Sequence, residues 1–177
     1  MSGAEGGDPR SGGVADPKRP KVGRHVVSLT VNGDEYTVLV KPNVTLLELL
    51  REELDFTGTK RACELGDCGA CTVLLDGEPV NSCIVLAVEA DGRAVDTIEG
   101  LEKDGELDVL QQKFIEHGAI QCGYCAPGMI LSGRALLNRN PNPTEQEVRR
   151  AIAGNLCRCT GYVKIVEAIM AAAQAAV

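Results

Sequence analysis

Cys63-Glu64-Leu65-Gly66-Asp67-Cys68-Gly69-Ala70-Cys71, with Cys83 further along the chain, is the stretch on which the fold turns. Three thiols on one short loop and a fourth beyond it make a ligand set rather than a core. The spacing C-x4-C-x2-C…C is that of a plant-type [2Fe–2S] site. A loop that wraps a compact anionic cluster needs small residues, so that backbone N–H groups can approach the sulfurs. Gly66, Gly69 and Ala70 are placed to supply this. Glycine also reaches φ > 0 without strain. Such N–H···S bonds stabilise an added electron and tune the potential.

The elements around this loop read as a small α+β unit. Val27, Leu29 and Val31 alternate with polar residues, Asn32-Gly33 follows, and Tyr36, Val38 and Val40 alternate again. That is a β-hairpin pattern. Thr45-Leu46-Leu47-Glu48 is a capping box, and Leu46, Leu49, Leu50 and Leu54 continue at helical spacing, predicting a helix over about 45–53. After the cysteine loop, Thr72–Leu75 reads as a strand, Asp76-Gly77 as its turn and Glu78–Cys83 as the return. Ala94–Ile98 is a last short strand.

Beyond the Gly- and acid-rich stretch at Glu99–Gly105 the period becomes helical. Helices are expected near 107–117, 127–138, 144–153 and 162–174, a compact helical bundle. Thr144-Glu145-Gln146-Glu147 is a second capping box. Tyr162, Ile165, Val166, Ile169, Met170 and Ala173 line one face of the last helix. This half carries its own thiols, Cys122-x2-Cys125 and Cys157-x-Cys159. Each pair sits just before a helix, with Pro127 at a first helical position and Thr160 as an N-cap. Two helix N-termini facing one another favour thiolates and an anionic cluster.

Composition limits the alternatives. The chain has 177 residues, eight of them Cys, a net charge of −7 and 3% aromatics without Trp. An acidic, aromatic-poor chain lacks the basic face and stacking platform of a nucleic-acid binder. Residues 1–24 are Gly, Pro, Ser and charge, and are expected to be a disordered tail. No apolar signal segment, twin arginine or membrane span is visible. A cytoplasmic location is therefore expected, where thiols stay reduced and disulfides are disfavoured. Structural zinc also takes four cysteines, and for the second set it remains a competing use of the thiols. His25 and His117 stand alone, Arg158 sits between two thiols, and there is no phosphate loop or H-E-x-x-H. No catalytic residue is expected in this chain. Two one-electron centres without a substrate site make an electron relay.

The same residues resemble a known family. Cys63 to Val73 with Asn81-Ser82-Cys83, Gln121 to Met129, and Gly154 to Tyr162 resemble the two cluster motifs of the xanthine oxidase family. The resemblance covers about 26–172 and points to the small iron–sulfur subunit of a molybdenum hydroxylase. It implies a β-grasp, plant-type ferredoxin domain over 25–100. It implies an all-α four-helix bundle [2Fe–2S] domain over 101–177. One cluster is then held by Cys63, Cys68, Cys71 and Cys83, the other by Cys122, Cys125, Cys157 and Cys159. Gln121 and Cys159 match positions that approach the pterin. Molybdopterin, in its cytosine dinucleotide form, belongs on a large partner subunit and FAD on a medium one. Electrons pass from molybdenum through the two clusters to FAD or another acceptor. The family usually has Gly before the first cysteine, where this chain has Ala62; a positive φ there would strain Ala.

Two other readings differ in class. One is a free-standing two-cluster carrier, for which Gln121 would have no pterin to meet. The other is a zinc-stabilised interaction module without redox activity. Relatives of the 4-hydroxybenzoyl-CoA reductase type use the same relay in reverse.

Overall fold

The computed structural model describes residues 23–175; the expected tail lies outside them up to residue 22. The first half is a five-stranded mixed sheet in the order β2-β1-β5-β3-β4. Strands β1 (His25–Val31) and β2 (Asp34–Val40) pair antiparallel, with Val31 opposite Asp34. Asn32 at φ 54° and Gly33 at φ 96° make the turn, as their side chains allow. Strands β3 (Thr72–Leu75) and β4 (Glu78–Asn81) form the second hairpin across Asp76 and Gly77. Between the hairpins lies β5 (Ala94–Asp96), parallel to β1 and antiparallel to β3.

Helix α1 (Leu46–Glu48) opens with the expected box: the Thr45 N–H donates to Glu48 at 2.8 Å and the Glu48 N–H to Thr45 Oγ1 at 3.2 Å. It continues as a π-wound segment, Leu49–Glu53, in which the Leu54 N–H reaches back to the Leu49 carbonyl. The wider turn accompanies complete burial of Leu46, Leu47, Leu49 and Leu50. Leu46, Leu49 and Leu50 pack on Val27, Leu29, Val31, Val73, Leu75 and Val95 to make the sheet core.

In the second half, α2 (Val109–Glu116), α3 (Ala126–Arg139), α4 (Glu145–Ala151) and α5 (Val163–Ala175) share one core. Its centre is Leu110, Phe114, Met129, Val148, Ile165 and Ile169, all fully buried. Burying each such side chain stabilises the fold by about 1.5–3 kcal/mol. Asp108 caps α2 and also pairs with Arg134 of α3. A sheet unit followed by a helical unit is therefore the architecture.

The two units meet along β3. All four of its residues are buried, because Val73 and Leu75 face the sheet core while Leu74 packs against Leu131 and Ala135 of α3. β3 follows directly on Cys71, so this packing seats the cysteine loop against the helical unit.

Candidate metal centres

The sequence-predicted thiols come together in two groups, within each of which they shift one another's titration. Cys68 lies close enough to Cys63 to lower its thiol, and Cys71 close enough to Cys83 to raise its thiol. Cys159 Sγ lies 3.5 Å from Cys122 Sγ, and Cys157 lies close enough to Cys125 to raise its thiol. Each group has an outer and an inner pair. Cys63 and Cys68 are half-buried while Cys71 and Cys83 are buried; Cys122 and Cys159 are exposed while Cys125 and Cys157 are half-buried.

Backbone amides face the first group. The Leu65 N–H donates to Cys63 Sγ at 3.4 Å. That bond, with the amides of Cys68 and Asp67 and the Cys68 thiol, brings the Cys63 thiol down to about 7. Burial instead pushes Cys83 up to about 11, with Cys71 adding to the rise and the Gly66 N–H opposing it. The loop holds its shape through Asn81 Nδ2, which donates to the Gly66 carbonyl at 2.7 Å, and Ser82 Oγ, which donates to the Cys71 carbonyl at 2.7 Å. Glu64 and Gly66 sit at positive φ; Ala62 is not among the positive-φ residues, so its Cβ carries no such strain. Gly69 has a different task from the one expected. The amides at the sulfurs are those of Leu65, Gly66, Asp67 and Cys68, while Gly69 is pressed against Gly154 and Asn155 of the helical unit.

In the second group, Cys125 is the N-cap residue of α3, which starts at Ala126, so Pro127 is the second helical residue. Burial, then Cys157, pushes the Cys125 thiol up to about 12. For Cys157 burial acts upward, but the Thr160 hydroxyl and N–H, the Cys159 N–H and Cys125 together outweigh it and lower the thiol. The Tyr124 N–H lowers Cys122, and the bond to Cys122 raises Cys159. Thr160 does not cap α5, which begins at Val163. Its hydroxyl lies 3.1 Å from Cys157 Sγ and accepts the Tyr162 N–H at 3.3 Å, while the Tyr162 hydroxyl accepts the Cys157 N–H at 2.9 Å. Tyr162 stands at φ 70° to make this contact. Gln121 is exposed beside Cys122, on the same rim as Cys159. Arg158 and His25 are exposed and His117 is half-buried.

Sequence reasoning missed the links between the two groups. The Leu156 N–H donates to the Cys68 carbonyl at 2.9 Å. The Tyr124 hydroxyl donates to the Arg61 carbonyl. Asn155 Nδ2 donates to the Gly69 carbonyl at 2.9 Å. The signal for Asn155 was its place two residues before a thiol, but nothing local shows a partner 86 residues away.

The donor chemistry fits two [2Fe–2S] clusters. Each takes four thiolates, and each group presents four free thiols. Comparison with known proteins agrees. Residues 29–104 match the family model of a 2Fe-2S iron-sulfur cluster binding domain and residues 97–170 that of a [2Fe-2S] binding domain. The chain is 50% identical to the nicotinate dehydrogenase small FeS subunit of Eubacterium barkeri, over 81% of this chain and 91% of that one. It is 44% identical to the xanthine dehydrogenase iron-sulfur-binding subunit of Escherichia coli, over 81% and 91%. Quinoline 2-oxidoreductase from Pseudomonas putida 86 superposes with a TM-score of 0.84 at 46% identity, covering 86% of this chain and 96% of that one.

The sheet unit, the helical unit and their thiols thus define a two-centre iron–sulfur protein of the electron-transferring kind. The chain belongs to the xanthine oxidase family of molybdenum hydroxylases, among its small iron–sulfur subunits.

Proposed function

We propose that Cys63, Cys68, Cys71 and Cys83 hold one [2Fe–2S] cluster, and that Cys122, Cys125, Cys157 and Cys159 hold the other. The chain then connects a molybdopterin centre on a large subunit with FAD on a medium subunit. The observation that carries this reading is the gathering of four thiols at each of two places. When bound, a cluster supplies reversible one-electron chemistry.

The chain's own residues do the rest. The Leu65–Cys68 amides and the Gly66 N–H face the first group of sulfurs. Thr160 and Tyr162 fix the inner sulfur of the second. Gln121 and Cys159, exposed on one rim, face the pterin of the large subunit. That rim also exposes Tyr124 and Leu156, an apolar border that supports burial against a partner. Exposed Leu65 and Ile84 border the first group in the same way, toward the flavin subunit.

Residues 25–100 work as a β-grasp ferredoxin domain and 101–177 as a four-helix bundle domain. The two separate cores support this division. Assembly takes place in the cytoplasm, where the thiols reach their clusters unoxidised. Among the described residues no helix is long and apolar enough to cross a membrane.

The test is a native pull-down with iron, sulfide, zinc, molybdenum and flavin measured against protein. Two [2Fe–2S] equivalents, molybdenum and a large chain are the expected result. Zinc in place of iron, or iron and sulfide in a chain that is alone in the cell extract, contradicts the reading.

A further inference from the structure

We propose that Asn155 is a positioning residue for electron transfer, its carboxamide holding the two thiol groups at a fixed separation by clamping the first cysteine loop to the helical unit. The proposal rests on the reading that each group holds a cluster.

Asn155 is 4% exposed and lies on neither thiol group's ligand set. Its carboxamide nitrogen donates to the Gly69 carbonyl at 2.9 Å and to Thr72 Oγ1 at 3.1 Å, and its oxygen accepts from Ser132 Oγ of α3 at 2.8 Å. The orientation is forced, because a backbone carbonyl only accepts, so the NH2 end has to face Gly69. Thr72 Oγ1 in turn donates to the same Gly69 carbonyl at 2.7 Å. Gly69 lies between Cys68 and Cys71, and Asn155 lies two residues before Cys157. One side chain therefore joins the first loop, the second loop and α3.

The backbone is shaped to admit it. A Cβ at Gly69 would stand 2.6 Å from Asn155 Nδ2, and one at Gly128 would stand 3.0 Å from the same atom and run into the Gly69 carbonyl. A buried network whose donors and acceptors are all matched has one low-energy arrangement. That property fixes a distance, whereas apolar packing such as Leu74 on Leu131 tolerates sliding.

The experiment compares Asn155→Ala, Thr72→Val and Thr72→Ser with wild type in the assembled complex. Iron and sulfide content is measured first, then the magnetic splitting between the two reduced clusters by electron paramagnetic resonance. A merely structural role would change thermal stability and leave the splitting of fully loaded complexes alone. The expected result is full cluster content with loss of the single wild-type splitting in Asn155→Ala and Thr72→Val, restored in Thr72→Ser. Should Asn155→Ala load incompletely, the two Thr72 variants decide. Wild-type splitting in a fully loaded Asn155→Ala or Thr72→Val complex overturns the proposal. Wild-type protein lacking one of the clusters overturns the underlying reading instead.

Discussion

The backbone N–H of Leu156 donates to the carbonyl of Cys68 at 2.9 Å. Cys68 belongs to the outer pair of the first thiol group, and Leu156 precedes Cys157 of the inner pair in the second. A single hydrogen bond thus completes an otherwise covalent route between the two groups. Side-chain changes at Leu156 leave it in place, since both atoms are main-chain. The bond depends instead on how closely the two loops approach, and Gly69 sets that approach.

Gly69→Ala is accordingly expected to damage the seam. The residue stands at φ 67°, and a Cβ would lie 2.6 Å from Asn155 Nδ2. Left-handed backbone and overpacking together cost about 2–4 kcal/mol. Thermal unfolding and iron content measure the effect. A fall in melting temperature with reduced iron is expected; wild-type values for both would contradict the close approach.

Ala62→Gly goes the other way. Position 62 does not need positive φ, so the glycine usual in the family adds nothing to the loop here. Both clusters are expected to stay intact, with a stability loss no greater than about 1 kcal/mol from backbone entropy. Iron and sulfide analysis checks this. Loss of the first cluster would show that the loop depends on the methyl group.

Two carboxylates away from the thiols give opposite pH responses. The Ala94 N–H at 2.9 Å and Arg93 Nε at 2.7 Å hold Asp76 below the ordinary carboxylate range. A depressed native pKa contributes stability above the unfolded pKa, which is lost as pH falls through the native one. Asp76→Asn should therefore lower the urea midpoint at neutral pH, with the difference closing in acid. Burial raises Asp96, against the pull of Lys103. Its stabilising contribution belongs to low pH and is lost as pH rises through the raised native pKa. Asp96→Asn should raise the neutral midpoint. Urea titrations across the acid range check both, and parallel shifts for the two variants would contradict the assignment.

Local pattern carried much of this structure. The Asn32-Gly33 turn, the Thr45 and Thr144 boxes and the buried face of α5 all express short-range chemistry, and they stand where their residues put them. Non-local features left no such mark. The insertion of β5 beside β1 pairs Thr30 with Ala94, which alternation alone cannot specify. The π-winding after Glu48 follows from what the leucines pack against rather than from their spacing. Thr160 precedes a helix as a cap does, but its hydroxyl serves Cys157 and the Tyr162 N–H. At the site, the cysteines were legible because ligand spacing is local within each motif. Asn155 was not, since its partners Gly69, Thr72 and Ser132 lie far away in the chain.

The most direct test of a two-centre relay is Cys157→Ser in the assembled complex. Cys157 is a half-buried thiol of the second group, and serine offers no soft thiolate there. Iron should fall by half, the signal of the first cluster should persist, and substrate-linked electron flow should stop. Full turnover in that variant would contradict the account.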